Sequence, residues 1–476
     1  MAEVCTGRAA NVCVNCKVRK KKCDKALPSC SYCNRKGRRC HYQSPRPVFH
    51  DRNAVGRDAF LPQRGAFRLA NASHTNPIIG STLLLVDVLP LGSLAPTLLN
   101  ETTIEDTLYA QAQRILGATG QYFDEISVHY FRTKHSFVPI LSRRHFHNSL
   151  VSFATSRADF AILLLSMCLF SYRPSPDRSI DIGTLYLSVR SLFLHAQALC
   201  KSSLRLVQAG VLLAFYEYSN GKPEQALITI GGCVRMAHAA GLKYPSSLPK
   251  GSSTENDEQM GQIDDEQTNT WWVILIYERI FLCETPVVDQ RVVSVMPEDG
   301  SYLATSTGPP QQPFHQAARA AWLLYEVRRA LLGSDWSMHF EKLDKELQLF
   351  LAGMVKEPLG ASSAPCWPVS IVIRALFLLH GHILDHTRCS ELSRKSQTAL
   401  DTVTRMVLDI VDMQMQLPAD QLETHPPSCV YMVRAAQKHL RKGAARTLDE
   451  QRDANLRLQT VLNRFAPGDR GTGWGA

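Results

Sequence analysis

The 476-residue chain is 45% hydrophobic with a formal net charge of +10, enough apolar material for one large or two medium cores, which excludes a small disulfide-stapled scaffold. Residues 1–50 hold 12 Lys and Arg against 2 Asp and Glu, while the rest of the chain holds 41 of each kind. The cationic excess therefore sits in the first tenth of the chain, the footprint of a polyanion-binding module joined to a neutral body.

Met1 to Ala10 lack a continuous apolar stretch, and no 18-residue apolar span is read in the sequence, so a soluble intracellular protein without a membrane partner is expected. In a reducing compartment the 14 cysteines point to metal or redox chemistry rather than disulfides. The glycosylation-type triplets at Asn71 and Asn100 then carry little weight.

Residues 1–43 contain Cys13, Cys16, Cys23, Cys30, Cys33 and Cys40, spaced C-x2-C-x6-C twice over with a six-residue loop between the halves. Two tetrahedral zinc sites need eight ligands, and six sulfurs supply them only if two are shared. The symmetry of the repeat points to Cys13 and Cys30, the first of each half, as the shared pair. Six thiolates around two Zn2+ leave a charge of about −2, which the surrounding lysines and arginines offset in part. A four-cysteine ribbon would strand two ligands, and iron–sulfur proteins use other spacings. Cys5 lies outside the repeat.

The run Val12-Cys13-Val14-Asn15-Cys16-Lys17-Val18-Arg19-Lys20-Lys21-Lys22-Cys23-Asp24, followed by Leu27-Pro28-Ser29-Cys30-Ser31-Tyr32-Cys33 and Cys40-His41-Tyr42, strongly resembles the fungal zinc binuclear cluster transcription factors. The resemblance implies one zinc on Cys13, Cys16, Cys23 and Cys30, a second on Cys13, Cys30, Cys33 and Cys40, and a cis peptide before Pro28. It further implies a nuclear regulator of RNA polymerase II transcription, an activator of a metabolic or secondary-metabolite gene cluster. A repressor of the same build is the alternative, and a zinc-dependent RNA-binding or structural protein is the rival from another class.

Between Cys16 and Cys23, five of six positions are cationic: Lys17, Arg19, Lys20, Lys21 and Lys22. On a short helix these cannot all point one way, so some reach base edges while others straddle phosphates. By the resemblance, Lys20 reads a CGG-type triplet in the major groove of promoter DNA with Arg19 beside it. Lys17, Lys21, Lys22, Arg35, Lys36, Arg38 and Arg39 are assigned to phosphate positioning. The bland reading of this run is a nuclear-localisation signal or an unspecific basic patch.

Residues 44–100 are punctuated by Pro45, Pro47, Pro62, Pro77, Pro90 and Pro96 and read as an irregular linker. Leu83–Val88 is too short for a heptad seam, so dimerisation beside the cluster, common in the family, is not expected, while a homodimer through the body and binding as a monomer both stay open.

Residues 101–476 read as an all-α regulatory domain, with apolar residues at three- and four-residue spacing as far as residue 464. The clearest periods are Phe160–Phe170, Leu185–Cys200, Leu204–Tyr218, Glu224–Ala240, Thr268–Cys283, Ala317–Leu332, Val369–His386 and Ser396–Gln416. Glu255, Asp257, Glu258, Asp264, Asp265 and Glu266 are expected in a solvated loop between helices. The segments from Tyr122 to Phe131, Phe137 to Leu141, Ala226 to Leu242 and Trp271 to Arg279 resemble the fungal-specific transcription factor domain. Transcription machinery and a small-molecule effector are the partners this implies. His380, His382, Asp385 and His386 could be weighed as a metal site, but structural histidines fit better, since no H-E-x-x-H pattern completes them. Scattered cysteines at 168, 200, 233, 283, 366, 389 and 429 read as small buried side chains. With no nucleophile elbow, phosphate loop or dinucleotide fingerprint, no enzymatic activity is expected.

Overall fold

The computed structural model describes residues 12–13, 16–17, 19, 21–26, 29–37 and 40 of the N-terminal region. Beyond residue 100 it describes 101–151, 157–172, 180–244, 260–285, 290–296, 313–333, 336–356, 366–386, 390–442 and 448–465. The chain divides into two compact units, Met1–Gly65 and Ala66–Ala476. The expected linker, the Pro28 peptide and the absent heptad seam all lie outside the described residues.

Among the described residues of the smaller unit, Ser31–Arg35 form a short helix, α1, and Cys16 and Lys17 are also helical. Its buried core consists of Cys13, Cys16, Cys30 and Cys33, with Cys23, Tyr32 and Cys40 packed around them. Among the described residues this core is built of thiols rather than hydrocarbon, and such a core cannot balance the chain entropy of folding by burial alone.

The larger unit is helical, with no strand among the described residues. In chain order come α2 (Glu101–Thr119), α3 (Phe123–His129) running into a π-turn at Tyr130–Lys134, α4 (Arg143–Val151), α5 (Ala158–Phe170), α6 (Ile182–Leu199), α7 (Leu204–Ser219) and α8 (Pro223–Ala239). They are followed by α9 (Met260–Cys283), α10 (Pro313–Leu332), α11 (Trp336–Lys356), α12 (Cys366–His386) and α13 (Ser390–Met415). A single turn, α14 (Ala419–Leu422), precedes α15 (Ser428–Arg441) and α16 (Leu448–Phe465).

Local chemistry marks these ends. Ser203 caps α7, its Oγ accepting from the Leu206 N–H at 3.2 Å, and donates to Asp159 of α5 at 2.7 Å. Gly221, at φ +71°, closes α7, and Pro223 opens α8 at a position where its missing N–H costs nothing.

Packing runs in series, α5 on α7, α7 on α8, α8 on α9, α9 on α10 and α10 on α12. Beyond that, α12 is the hub, touching α11, α13 and α15 as well. Gly210 permits the closest approach, because a Cβ there would meet Cys233 Sγ of α8 at 2.6 Å and Phe193 Cζ of α6 at 2.7 Å.

Two expectations need correction. α12 contains a 20-residue stretch, Trp367–His386, that is long and apolar enough to cross a membrane, against the reading that no such span exists. Of this stretch 67% is buried among the neighbouring helices, which accounts for its apolar character. The acidic stretch is also not all loop, since α9 begins at Met260 and takes in Asp264, Asp265 and Glu266. Glu266 accepts the Ser142 N–H at 2.5 Å and lies 3.6 Å from His145, so a helical contact replaces the expected solvation. Burial raises its pKa, opposed by those partners. Glu255, Asp257 and Glu258 lie outside the described residues.

Candidate metal centre and nucleic-acid interface

The two halves of the cysteine repeat fold alike. Cys16 N–H points to Cys13 Sγ at 3.4 Å, and Cys33 N–H points to Cys30 Sγ at 3.4 Å. One turn on, Lys17 N–H donates to Cys13 C=O at 3.0 Å, and Asn34 N–H donates to Cys30 C=O at 3.0 Å. The C-x2-C spacing thus winds each half into one helical turn that aims both sulfurs inward and hydrogen-bonds the first of them.

A clamp joins the halves. Asp24 accepts from Ser31 N–H at 3.1 and 3.2 Å and from the Ser31 hydroxyl, bonds that hold its carboxyl below the usual range. Lys25, beside it, takes a left-handed φ of +60° to turn the chain.

Two groups of four sulfurs result: Cys13, Cys16, Cys23 and Cys30, and Cys13, Cys30, Cys33 and Cys40, each within 4.8 Å of one another. Cys13 and Cys30 belong to both. The contacts Cys13–Cys30, Cys13–Cys33 and Cys16–Cys30 are each 3.7 Å. A disulfide would bring sulfurs to about 2.0 Å, whereas the edge of a zinc–thiolate tetrahedron with bonds of about 2.3 Å is about 3.8 Å. The observed spacing matches the tetrahedron, and the six cysteines form two metal sites fit for two Zn2+.

Removal from water, aided by neighbouring sulfurs, pushes the Cys33 thiol up to about 12 and raises Cys16 further. Such thiols ionise together only when a divalent cation compensates them. Bound zinc would supply that charge and cross-link the two halves.

Around this core the cations point outward. Lys17, Arg19, Lys21, Lys22, Arg35 and Lys36 are exposed, forming a basic shell over a thiol interior. Lys20, Arg38 and Arg39 lie outside the described residues. The Asp24–Ser31 clamp was not read from the sequence, although an Asp directly after Cys23 and a Ser directly after the next ligand, Cys30, was a usable signal.

In the helical unit the histidines do not converge. His380 is buried between Asp344 at 3.2 Å and Ser396 at 3.2 Å, while the His382 and His386 rings stack at 4.1 Å. Cys168, Cys233, Cys283 and Cys429 are buried and Cys200 partly so, and burial pushes Cys168 and Cys283 up to about 12, far from a reactive thiolate. Cys389, like the Cys366 side chain, lies outside the described residues.

A shared-sulfur cluster of two metal sites carrying a basic shell, in one chain with a large helical unit, defines a zinc-dependent nucleic-acid-binding class. Residues 11–47 match the fungal Zn(2)-Cys(6) binuclear cluster domain, and residues 121–284, α3 to α9, match the fungal specific transcription factor domain. The chain therefore carries the two domains of the Zn2Cys6 fungal transcription factors, a family of regulators and not of enzymes. It is 36% identical over 121 residues to a protein named Transcription factor BOA15 from Botryotinia fuckeliana (strain B05.10). That alignment covers 25% of this chain and 66% of the relative, just under two thirds of its length.

Proposed function

We propose that the protein is a nuclear, sequence-specific regulator of RNA polymerase II transcription that reads CGG-type triplets in promoter DNA and activates a metabolic or secondary-metabolite gene cluster. The observation that carries this reading is the pair of sulfur groups sharing Cys13 and Cys30 beneath exposed cations. In it, Cys13, Cys16, Cys23, Cys30, Cys33 and Cys40 hold two Zn2+ and thereby fix the basic segment. Lys20 donates to the O6 and N7 acceptors of guanine with Arg19 beside it. Lys17, Lys21, Lys22, Arg35, Lys36, Arg38 and Arg39 set the register on phosphates.

Residues 1–43 form the DNA-binding module, 44–100 the linker and 101–476 the regulatory body, which engages the transcription machinery, answers a small-molecule effector and offers the surface for a homodimer. Selection from random duplexes by the zinc-loaded full chain is expected to enrich CGG. Enrichment of no duplex sequence overturns the reading. Transcript profiling of a deletion strain tests activation, which predicts a fall in messages from promoters carrying the selected site.

A further inference from the structure

In the helical unit, α6 and α8 lie side by side against α7. Arg190 of α6 reaches the Thr229 hydroxyl of α8 at 3.5 Å, and a Cβ at Gly232 of α8 would stand 3.4 Å from Gln197 Nε2 of α6. On the other flank of α8 runs the segment 291–296, where a Cβ at Gly231 would stand 3.8 Å from Val293 Cγ2. Ser294, buried, ties that segment to Glu278 of α9 at 2.9 Å, while Val293 and Val295 beside it are exposed. All three elements present large apolar side chains to the outside: Leu187 and Leu194 on α6, Ile228 on α8, and the two valines. Ile228 is 65% exposed and Val295 68%. Single apolar residues are ordinary on a surface, but five on three adjoining elements form a patch, and such a patch marks an interaction site.

We propose that a second copy of the chain covers this face, the two α8 helices packing antiparallel about a two-fold axis midway between Thr229 and Ile230. An interface of that symmetry must be complementary to itself. The axis sets Ile228 against Gly231 of the partner subunit and Glu224 against Arg235 of the partner subunit. Glu224, Ile228 and Arg235 are all exposed and, with the glycine pair, follow one another at spacings of three and four along one stripe of α8. The two opposite charges therefore lie at equal distances on either side of the axis, and among the described residues neither takes part in an ion pair.

The glycine pair suits the close approach of a partner. Each glycine weakens a helix by about 1 kcal/mol relative to alanine. Both positions have room for a methyl group, so crowding within the chain does not call for them. The area also suffices. With 17 residues, α8 is about 25 Å long, and three elements at spacings of about 10 Å give a footprint on the order of 700 Å² per subunit. A standard interface covers about 800 Å² per partner. The proposal gives the homodimer of the regulator reading its surface; the use of that dimer on promoters rests on the regulator reading, whereas self-association does not.

Sedimentation velocity of the zinc-loaded full chain is expected to show a concentration-dependent dimer in the micromolar range. Ile228→Lys is expected to raise the dissociation constant about tenfold or more while the melting temperature holds. Glu224→Arg and Arg235→Glu each set like charges face to face, and each alone is expected to self-associate about tenfold more weakly. Mixed in equal amounts, these two variants should form a heterodimer, since every charge then meets its opposite. A purely structural role for either residue gives no such rescue. A parent that stays monomeric up to about 100 μM, any of the three variants dimerising like the parent, or no heterodimer on mixing overturns the proposal. Duplex selection is run on the same parent sample. Failure to enrich CGG with the dimer intact counts against the regulator reading alone, and a CGG-binding monomer overturns this proposal alone.

Discussion

A lysine over a base edge and a lysine over a phosphate carry the same charge but lose different things when removed. Lys20→Ala is expected to cost about 1–3 kcal/mol of binding and to relax preference within the triplet. Lys36→Ala weakens all duplexes alike and lowers the salt slope by about one. Titrations of matched and scrambled duplexes at several salt concentrations check both. In the body, His135 is pulled down to about 4 by burial and then by Arg143, and it packs beside the Tyr130 and Phe131 rings. The unfolded imidazole takes up its proton as pH falls through about 6.5, while the folded one does not until about 4. Its contribution is thus full above about 6.5 and is lost progressively as pH falls toward 4. Urea melts should show the His135→Leu variant losing less stability than the parent between about pH 7 and about pH 5, by at most about 2 kcal/mol. The His135 shift was not legible in the sequence, because a burial shift depends on residues the fold brings in from elsewhere. The ligand spacing was legible, since two turns of C-x2-C encode their own geometry.

At the scale of elements, the helices were readable wherever an apolar period faced one core, as in α5 to α8. The period failed at the start of α9, where acidic residues masked a helix that Ser142 and His145 satisfy from across the fold. It also gave no hint of polar groups buried on helices read as packing. Glu278 accepts the Val293 and Ser294 N–H groups at 2.6 and 2.9 Å, and Arg279 donates to the Ser294 hydroxyl at 3.1 Å, strapping residues 291–296 to α9. Glu217, wholly buried in α7, gathers Tyr186 at 3.0 Å, Thr229 at 2.7 Å and Arg190. Such bonds join positions far apart in sequence, and no local pattern records them. The tight contact at Gly210 yields a sharper expectation. Gly210→Ala should destabilise the body by about 1–3 kcal/mol through overpacking, read as a lower urea midpoint. Adding Cys233→Ala should restore part of the loss, because it removes the sulfur that the new methyl would meet.

For the whole molecule, the two units are stabilised by different means. The N-terminal unit is organised around sulfur and depends on zinc, whereas the helical unit has an extended hydrocarbon core. Chelation with EDTA is therefore expected to abolish duplex binding while leaving the helical circular-dichroism signal and its melting transition nearly unchanged. Joint loss of both signals would show that the body also needs metal. The charge partition agrees with this division, the cationic excess lying within the first 50 residues, in the N-terminal unit.

The apolar character of α12 has a consequence during synthesis. Two of the helices that cover it, α13 and α15, leave the ribosome after it does, so for a time a membrane-length apolar segment is made without its shelter. A nonsense product ending before Ser428 would never acquire the second of these covers and would present Phe377 and its neighbours to chaperones and proteases. Premature stop codons far downstream of the cysteine cluster should thus act as nulls through protein loss, even though all six of its cysteines and the basic run between them have been translated.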